Sequence, residues 1–140
     1  MKLKAPVLHI FEQPIYPREL CIIDGYDKSF MDDNFEFTDG CSGFFETQHA
    51  LDNYKAVVFG DFQKYTSIRN KKNEHYCIPI ALVDKKLITV RVAAHEATHA
   101  ALQFWKQIGE SPTGIEADAC LVGWIADCIW QVKTGIFNNS

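Results

Sequence analysis

Long hydrophobic runs, repeats and linkers are all missing from this sequence. No uncharged apolar stretch approaches the roughly 18 residues that a membrane-spanning helix needs, so we expect no membrane partner. The apolar stretch near the amino terminus is too short for a signal peptide, which predicts a cytoplasmic protein. With no internal repeat, low-complexity tract or Pro/Gly/Ser-rich segment, the 140 residues predict a single domain over 1–140.

Clustered positive charge and paired cysteine motifs are missing as well. Fourteen Lys and Arg face 18 Asp and Glu, a net charge of −4, and the densest basic cluster is only Arg69, Lys71 and Lys72. Nucleic-acid binding needs more basic side chains than this, so we expect no nucleic-acid partner. The cysteines are odd in number and none stands in a Cys-x-x-Cys pair, which argues against a disulfide framework: Cys21, Cys41, Cys77, Cys120 and Cys128.

The residue pattern in the first part of the chain is typical of short strands. Apolar, β-branched stretches bounded by Gly, Asp or Asn predict strands at 6–11, 20–23, 55–59 and 76–83. Asp84, Lys85 and Lys86 then predict a hairpin turn into a further strand at 87–90. Residues 26–53 are rich in Asp, Gly and Phe, and we expect them to be irregular, with one short helix around 44–51.

After residue 89 the residue pattern becomes typical of helices. Residues 90–108 contain no Gly or Pro and stop at Gly109, and a second helix is expected over 115–133, before Gly135. The second helix is apolar nearly all round, which predicts burial. The sequence therefore predicts an α+β fold: a small, mostly antiparallel sheet from 1–88, packed on a two-helix part at 89–135.

The first helix carries an H-E-x-x-H pentapeptide formed by His95, Glu96 and His99. Residues four apart on a helix differ by only about 40° around its axis, so both imidazoles can bind one tetrahedral metal ion. Glu96 projects beside them, where a carboxylate can act as general base on a metal-activated water. Small alanines around the pair would let the sheet and the second helix approach closely. A preceding strand at 87–90 could then offer its backbone edge to an extended peptide.

A third metal ligand is needed, and the sequence contains several candidates for it. Glu116 is favoured, because a chain that turns at 109–114 can bring the first turn of the second helix back toward the metal. Thr113 and Glu116 also read as a capping box, in which the glutamate serves only the helix end. Glu110 would lie about 16 Å along the helix from His99 and is poorly placed. The remaining candidates near the same helix are Asp118, Cys120, Asp127 and Cys128, of which Asp127 could orient a histidine and Cys128 is expected to be a packing residue.

His95-Glu96-Ala97-Thr98-His99, followed by Glu116, resembles the zincin metallopeptidases and, within them, the gluzincins. The chain is also similar in size and layout to small H-E-x-x-H proteins of bacteriophages and prophages, and more distantly to ImmA/IrrE-type peptidases. The resemblance implies a minimal zincin-like fold, Zn²⁺ on His95, His99 and Glu116, and Glu96 as base and proton shuttle.

The function expected from these residues is that of a zinc-dependent hydrolase, a metallopeptidase acting on a peptide or protein substrate. Two alternatives stay open: an interaction module that keeps the fold without catalysis, and an amidase of a small molecule. A donor for the developing oxyanion should come from elsewhere in the chain, the candidates being Tyr65, His75, Tyr76 and Arg91.

Overall fold

The computed structural model describes residues 5–12, 18–37, 44–59, 66–68, 76–109 and 115–138. The strands in these ranges are β1 (Val7–Phe11), β2 (Glu19–Asp24), β3 (Phe35–Phe37), β4 (Ala56–Val58), β5 (Thr66–Ile68) and β6 (Tyr76–Leu82). The helices are α1 (Lys28–Asn34), α2 (Thr47–Asn53), α3 (Val90–Ile108) and α4 (Ile115–Thr134). The described residues thus form an α+β structure with a mixed sheet and four α-helices.

Strand β6 is the centre of the sheet. On one side it pairs in parallel with β2, and β2 pairs antiparallel with β1. On the other side β4 and β5 pair antiparallel with successive parts of β6, Ala56 opposite Leu82 and Thr66 opposite Cys77. β3 lies beyond β5 and is antiparallel to it. Antiparallel pairings therefore predominate, as predicted, and the β2–β6 pair makes the sheet mixed.

Both faces of the sheet are covered, which explains why β6 is apolar at nearly every position. Successive side chains of a strand point to opposite faces. Ile78, Ile80 and Leu82 pack with α3 and α4 in one core, whereas Cys77 and Ala81 belong to a second core with residues of α1 and α2. The H-E-x-x-H motif lies on the helical layer of the first core.

Helix α3 has the bounds that the sequence predicts. Thr89 caps its amino end, its Oγ1 accepting a hydrogen bond from the Val92 amide at 3.2 Å. Gly109 ends it in the left-handed conformation, with φ of 73°. The prediction for α4 is confirmed to within one residue, and Gly135 follows its end with φ of 72°.

Helices α3 and α4 form an antiparallel hairpin that is tied at both ends. The Trp105 indole Nε1 donates to Asp118 Oδ1 at 2.9 Å near the end of α3. At the other end, Lys133 Nζ of α4 donates to the carbonyl of Lys85, just before α3 begins, at 3.0 Å. Alanines fill much of the buried face of α3 and share one core with residues of α4: Ala93, Ala97, Ala100 and Ala101.

The predicted hairpin and strand at 87–90 are wrong. Lys85–Leu87 instead form one turn of 3₁₀-helix, because the Asp84 carboxylate accepts a hydrogen bond from the Lys86 amide at 3.0 Å. The next residues lead directly into the Thr89 cap, so this segment is not a strand. The side-chain hydrogen bonds of Asp84 and Thr89 thus override the β-branched composition.

The prediction that α4 is buried holds for one side of the helix only. Leu121, Ile125 and Ile129 are buried against α3 and the sheet, but the opposite side of the helix is exposed, and Trp130 is 36% exposed. None of the helices that the structure describes is long and apolar enough to cross a membrane.

Residues 26–53 are more regular than predicted. They contain α1, β3 and α2, of which only α2 corresponds to the short helix expected around 44–51. Asp27 begins α1, its side chain accepting from the Phe30 amide at 3.1 Å and from the Thr47 hydroxyl at 3.1 Å. The basic cluster Arg69, Lys71 and Lys72, the turn at 111–114 and Cys41 lie outside the described residues.

Candidate metal centre

His95 and His99 lie next to each other on the side of α3 that faces away from the sheet. Their ring centroids are 4.8 Å apart with an interplanar angle of 62°. His95 is exposed and His99 is half-buried, while Ala93, Ala97 and Ala100 hold the opposite side of the helix against the core. The helix therefore presents both imidazoles together at the surface.

The spacing of the two rings can be compared with that of a shared zinc site. Each ring centre would lie about 3.2 Å from the metal, and at a tetrahedral angle of about 109° the two centres would be about 5 Å apart. The 4.8 Å between His95 and His99 is close to this value. The separation of the two rings is therefore compatible with two ligand positions of one zinc ion.

Glu96 lies beside the histidine pair and lines a cleft together with His95. Consecutive residues of a helix are about 100° apart, so the carboxylate projects to one side of the imidazoles. Its side chain is half-buried, which limits its motion compared with a carboxylate at an exposed position.

The cleft beside this pair has a volume of about 520 Å³. One wall is the first part of α3, from Thr89 to Glu96, and the other is the segment that joins α2 to β4. Ala56, the first residue of β4, lies in that second wall. Among the described strands β4 pairs only with β6, so its other edge faces away from the sheet.

Glu116 lies on the first turn of α4 and is exposed. Its Oε1 accepts a hydrogen bond from the Cys120 thiol at 3.5 Å, and this bond to a carboxylate raises the pKa of Cys120 above its usual value. The Trp105–Asp118 contact places Glu116 level with the end of α3, roughly 12 Å along the axis from His99.

The structure therefore brings His95, Glu96 and His99 together and does not bring Glu116 to them. Over the ranges that the structure describes, no three His, Cys, Asp or Glu side chains are grouped so that they could hold a metal ion. The assignment of Glu116 as third ligand stays a prediction.

The other ligand candidates on α4 have partners of their own. Asp118 is half-buried and accepts from Trp105. Asp127 is exposed and accepts from the Gln131 and Asn138 side-chain amides at 3.0 and 3.2 Å. Cys128 is buried in the core, as predicted for a packing residue, and burial raises the pKa of its thiol to about 12.

The candidates for an oxyanion donor are dispersed. Arg91 lines the cleft with His95 and Glu96. Tyr76 instead lies under the Arg18 guanidinium, whose Cζ is 5.0 Å from the centroid of the tyrosine ring. His75 and Tyr65 lie outside the described residues, as do Glu110 and Thr113 of the ligand and capping predictions.

The second wall of the cleft is what sequence reasoning missed. Lys55 and Tyr54 reach the motif because the Val83 amide donates to the Lys55 carbonyl at 2.9 Å and β4 then pairs with β6. They stand about 40 residues before the motif and belong to no recognisable pattern of their own. Only knowledge of the β4–β6 register could have placed them there.

Comparisons with known protein families, with curated proteins and with solved structures find no match to this chain.

Proposed function

We propose that this protein is a zinc-dependent hydrolase that cleaves peptide bonds. The observation that carries the proposal is the placement of His95 and His99, 4.8 Å apart between ring centroids, next to Glu96 and a cleft of about 520 Å³. Two imidazoles and one adjacent carboxylate on a helix supply two metal ligands and a general base for metal-assisted hydrolysis, which needs one further protein ligand.

The roles follow from the positions of the side chains. His95 and His99 would hold the metal, which would lower the pKa of water toward about 7 and polarise the carbonyl of the substrate. Glu96 accepts a proton from the attacking water and passes it to the leaving nitrogen. One carbon–oxygen bond forms and one carbon–nitrogen bond breaks, so water is the only co-reactant.

The position of strand β4 beside the cleft favours a peptide as the substrate. Its first residue, Ala56, lines the cleft, and the edge of β4 that faces away from β6 has backbone groups that can pair with an extended chain. The sequence assigns this edge to residues 87–90, which the structure shows as a 3₁₀ turn and a helix cap. We assign it to β4 instead.

Glu116 remains our proposed third ligand, and its test is separate from that of the histidines. Reaching the pair from the end of α3 requires α4 to shift along α3. Glu116→Gln should then weaken zinc binding, whereas Glu46→Gln, which also removes an exposed carboxylate, should not. Unchanged zinc affinity in Glu116→Gln would exclude this glutamate and leave the histidine pair untouched.

The hydrolase proposal is tested by profiling zinc-loaded protein against a peptide library. We expect cleavage by the wild type, and a decrease in kcat of about 10²- to 10⁴-fold in Glu96→Gln with zinc content retained. Glu46→Gln is the matched control, since it removes an equal charge outside the cleft. Cleavage at the wild-type rate by Glu96→Gln would contradict the proposal.

Two other results would redirect the proposal. Hydrolysis of small amides without cleavage of any peptide would favour an amidase. Zinc binding without hydrolysis, together with a biological effect that survives Glu96→Gln, would favour an interaction module, because Glu96 is needed for turnover and not for holding metal.

A further inference from the structure

Two positively charged side chains in the cleft, Lys55 and Arg91, form no ion pair with the carboxylates that the structure describes. Lys55 and Arg91 both line it and both are exposed. Within the described ranges, no carboxylate lies within ion-pair distance of either of them. Elsewhere Lys28 and Lys85 are each held by an aspartate, at 2.8 and 3.1 Å. In a chain with a net charge of −4, two cations against the single carboxylate of Glu96 leave the described lining of this cleft with an excess of positive charge.

The two cations are placed relative to the proposed metal pair by the helix and the sheet. Arg91 precedes His95 by four residues, so it lies one turn away on the same side of α3, with about 6 Å between the Cβ atoms. Lys55 stands on the opposite wall, next to Ala56 of β4. The amino end of α3 at Thr89 lines the same part of the cleft and adds potential of the same sign.

From this placement we infer that the cleft selects substrates that carry a carboxylate close to the bond to be cleaved, held by Arg91 and Lys55. The inference rests on the proposed hydrolase function and names its substrate class. One extended residue spans about 3.5 Å, so a carboxylate on the residue after the scissile bond lies within reach of a side chain one helical turn from His95. The planar guanidinium of Arg91 can bind both carboxylate oxygens, and Lys55 adds a point charge from the opposite wall.

A carboxylate in this position can come from a free carboxyl terminus or from an acidic side chain. Three probes that differ only at the last residue distinguish the sources: acetyl-Ala-Ala-Ala with a free carboxylate, the same peptide as its terminal amide, and acetyl-Ala-Ala-Glu as its terminal amide. The first and third carry one negative charge each, and the second carries none.

Binding of the three probes is measured by titration calorimetry on metal-free protein and on zinc-loaded Glu96→Gln, which should not cleave them. We expect at least one charged probe to bind about five- to tenfold more tightly than the neutral amide in both preparations. Arg91→Gln combined with Lys55→Gln should remove this preference. Lys106→Gln, an exposed cation further along α3, should leave it unchanged.

The outcomes separate this inference from the hydrolase proposal. Equal binding of all three probes, or a preference that survives the double Arg91→Gln and Lys55→Gln change, would overturn the carboxylate site. A preference seen only with zinc present would also overturn it, because the carboxylate would then be binding the metal. Failure to bind zinc, with the preference intact in metal-free protein, would refute the hydrolase and leave a carboxylate-binding cleft.

Discussion

The contact between Trp105 and Asp118 fixes the register of the α3–α4 hairpin, and its removal should be measurable. Asp118→Ala leaves the indole N–H, on a side chain only 6% exposed, without its acceptor. A hydrogen bond to a charged group contributes about 1.5–3 kcal/mol, and Asp118 is half-buried, so we expect a loss of about 2 kcal/mol in the free energy of unfolding. For a chain of this length, this corresponds to a decrease in Tm of about 6 °C.

The assay is a double-mutant cycle followed by far-ultraviolet circular dichroism in urea and on heating. Asp118→Ala, Trp105→Phe and the double variant should show a coupling energy of about 1–2 kcal/mol, because the two groups share one bond. Asp127→Ala is the matched control: this aspartate is exposed on the same helix, and its loss should cost under about 0.5 kcal/mol. Zinc content should not decrease in any of these variants.

Two results would refute this reasoning. A coupling energy near zero would show that the indole and the carboxylate do not depend on each other, and that the hairpin register has another origin. A loss of zinc in Asp118→Ala would make this aspartate a metal ligand, which is the role that the sequence left open and that the Trp105 contact argues against.

Three further predictions concern the helix ends and the thiols. Thr89→Ala removes the cap of α3 and should cost about 1 kcal/mol in urea denaturation, whereas Thr89→Ser should cost less; equal losses would show that the hydroxyl is not the cap. A Cβ added to Gly109 or Gly123 meets nothing within 4 Å, so the backbone conformation alone decides the effect of alanine at each position. Gly109→Ala should destabilise the protein by about 1 kcal/mol, because φ is 73° there, whereas Gly123→Ala inside α4 should stabilise it by about 0.5–1 kcal/mol. The same sign for both would contradict the backbone argument. At pH 8, iodoacetamide should modify the exposed Cys120 in the native protein, as measured by mass spectrometry. Cys128 is buried and its pKa is raised to about 12, so it should be modified only after unfolding. Equal native labelling of the two would contradict the packing of α4.

Helix α3 could be predicted from the sequence because its ends are encoded locally. Thr89 and Gly109 mark α3 through one side-chain oxygen and one positive φ, and neither depends on the rest of the fold. The long apolar strands β2 and β6 were predictable for a similar reason, since burial on both faces leaves a continuous hydrophobic run. Three-residue strands such as β3 and β5 have no such signal, because pairing with a neighbour defines them.

The motif itself was predictable, and its surroundings were not. His95, Glu96 and His99 share a helix, so their spacing alone determines their relative positions. Glu116 lies on another helix, and its height relative to His99 depends on which residues of α3 and α4 meet. Lys55 reaches the cleft through the register of β4 on β6. These are long-range contacts that periodicity and composition do not specify.

The most direct test of the zinc site is the metal content of protein purified without a chelator or a histidine tag, with zinc affinity measured by titration. We expect about one zinc per chain, lost in His95→Ala and in His99→Ala and retained in His49→Ala, which removes an exposed histidine of α2 as the control. No stoichiometric zinc in the wild type, or zinc content unchanged by loss of either His95 or His99, would contradict this expectation.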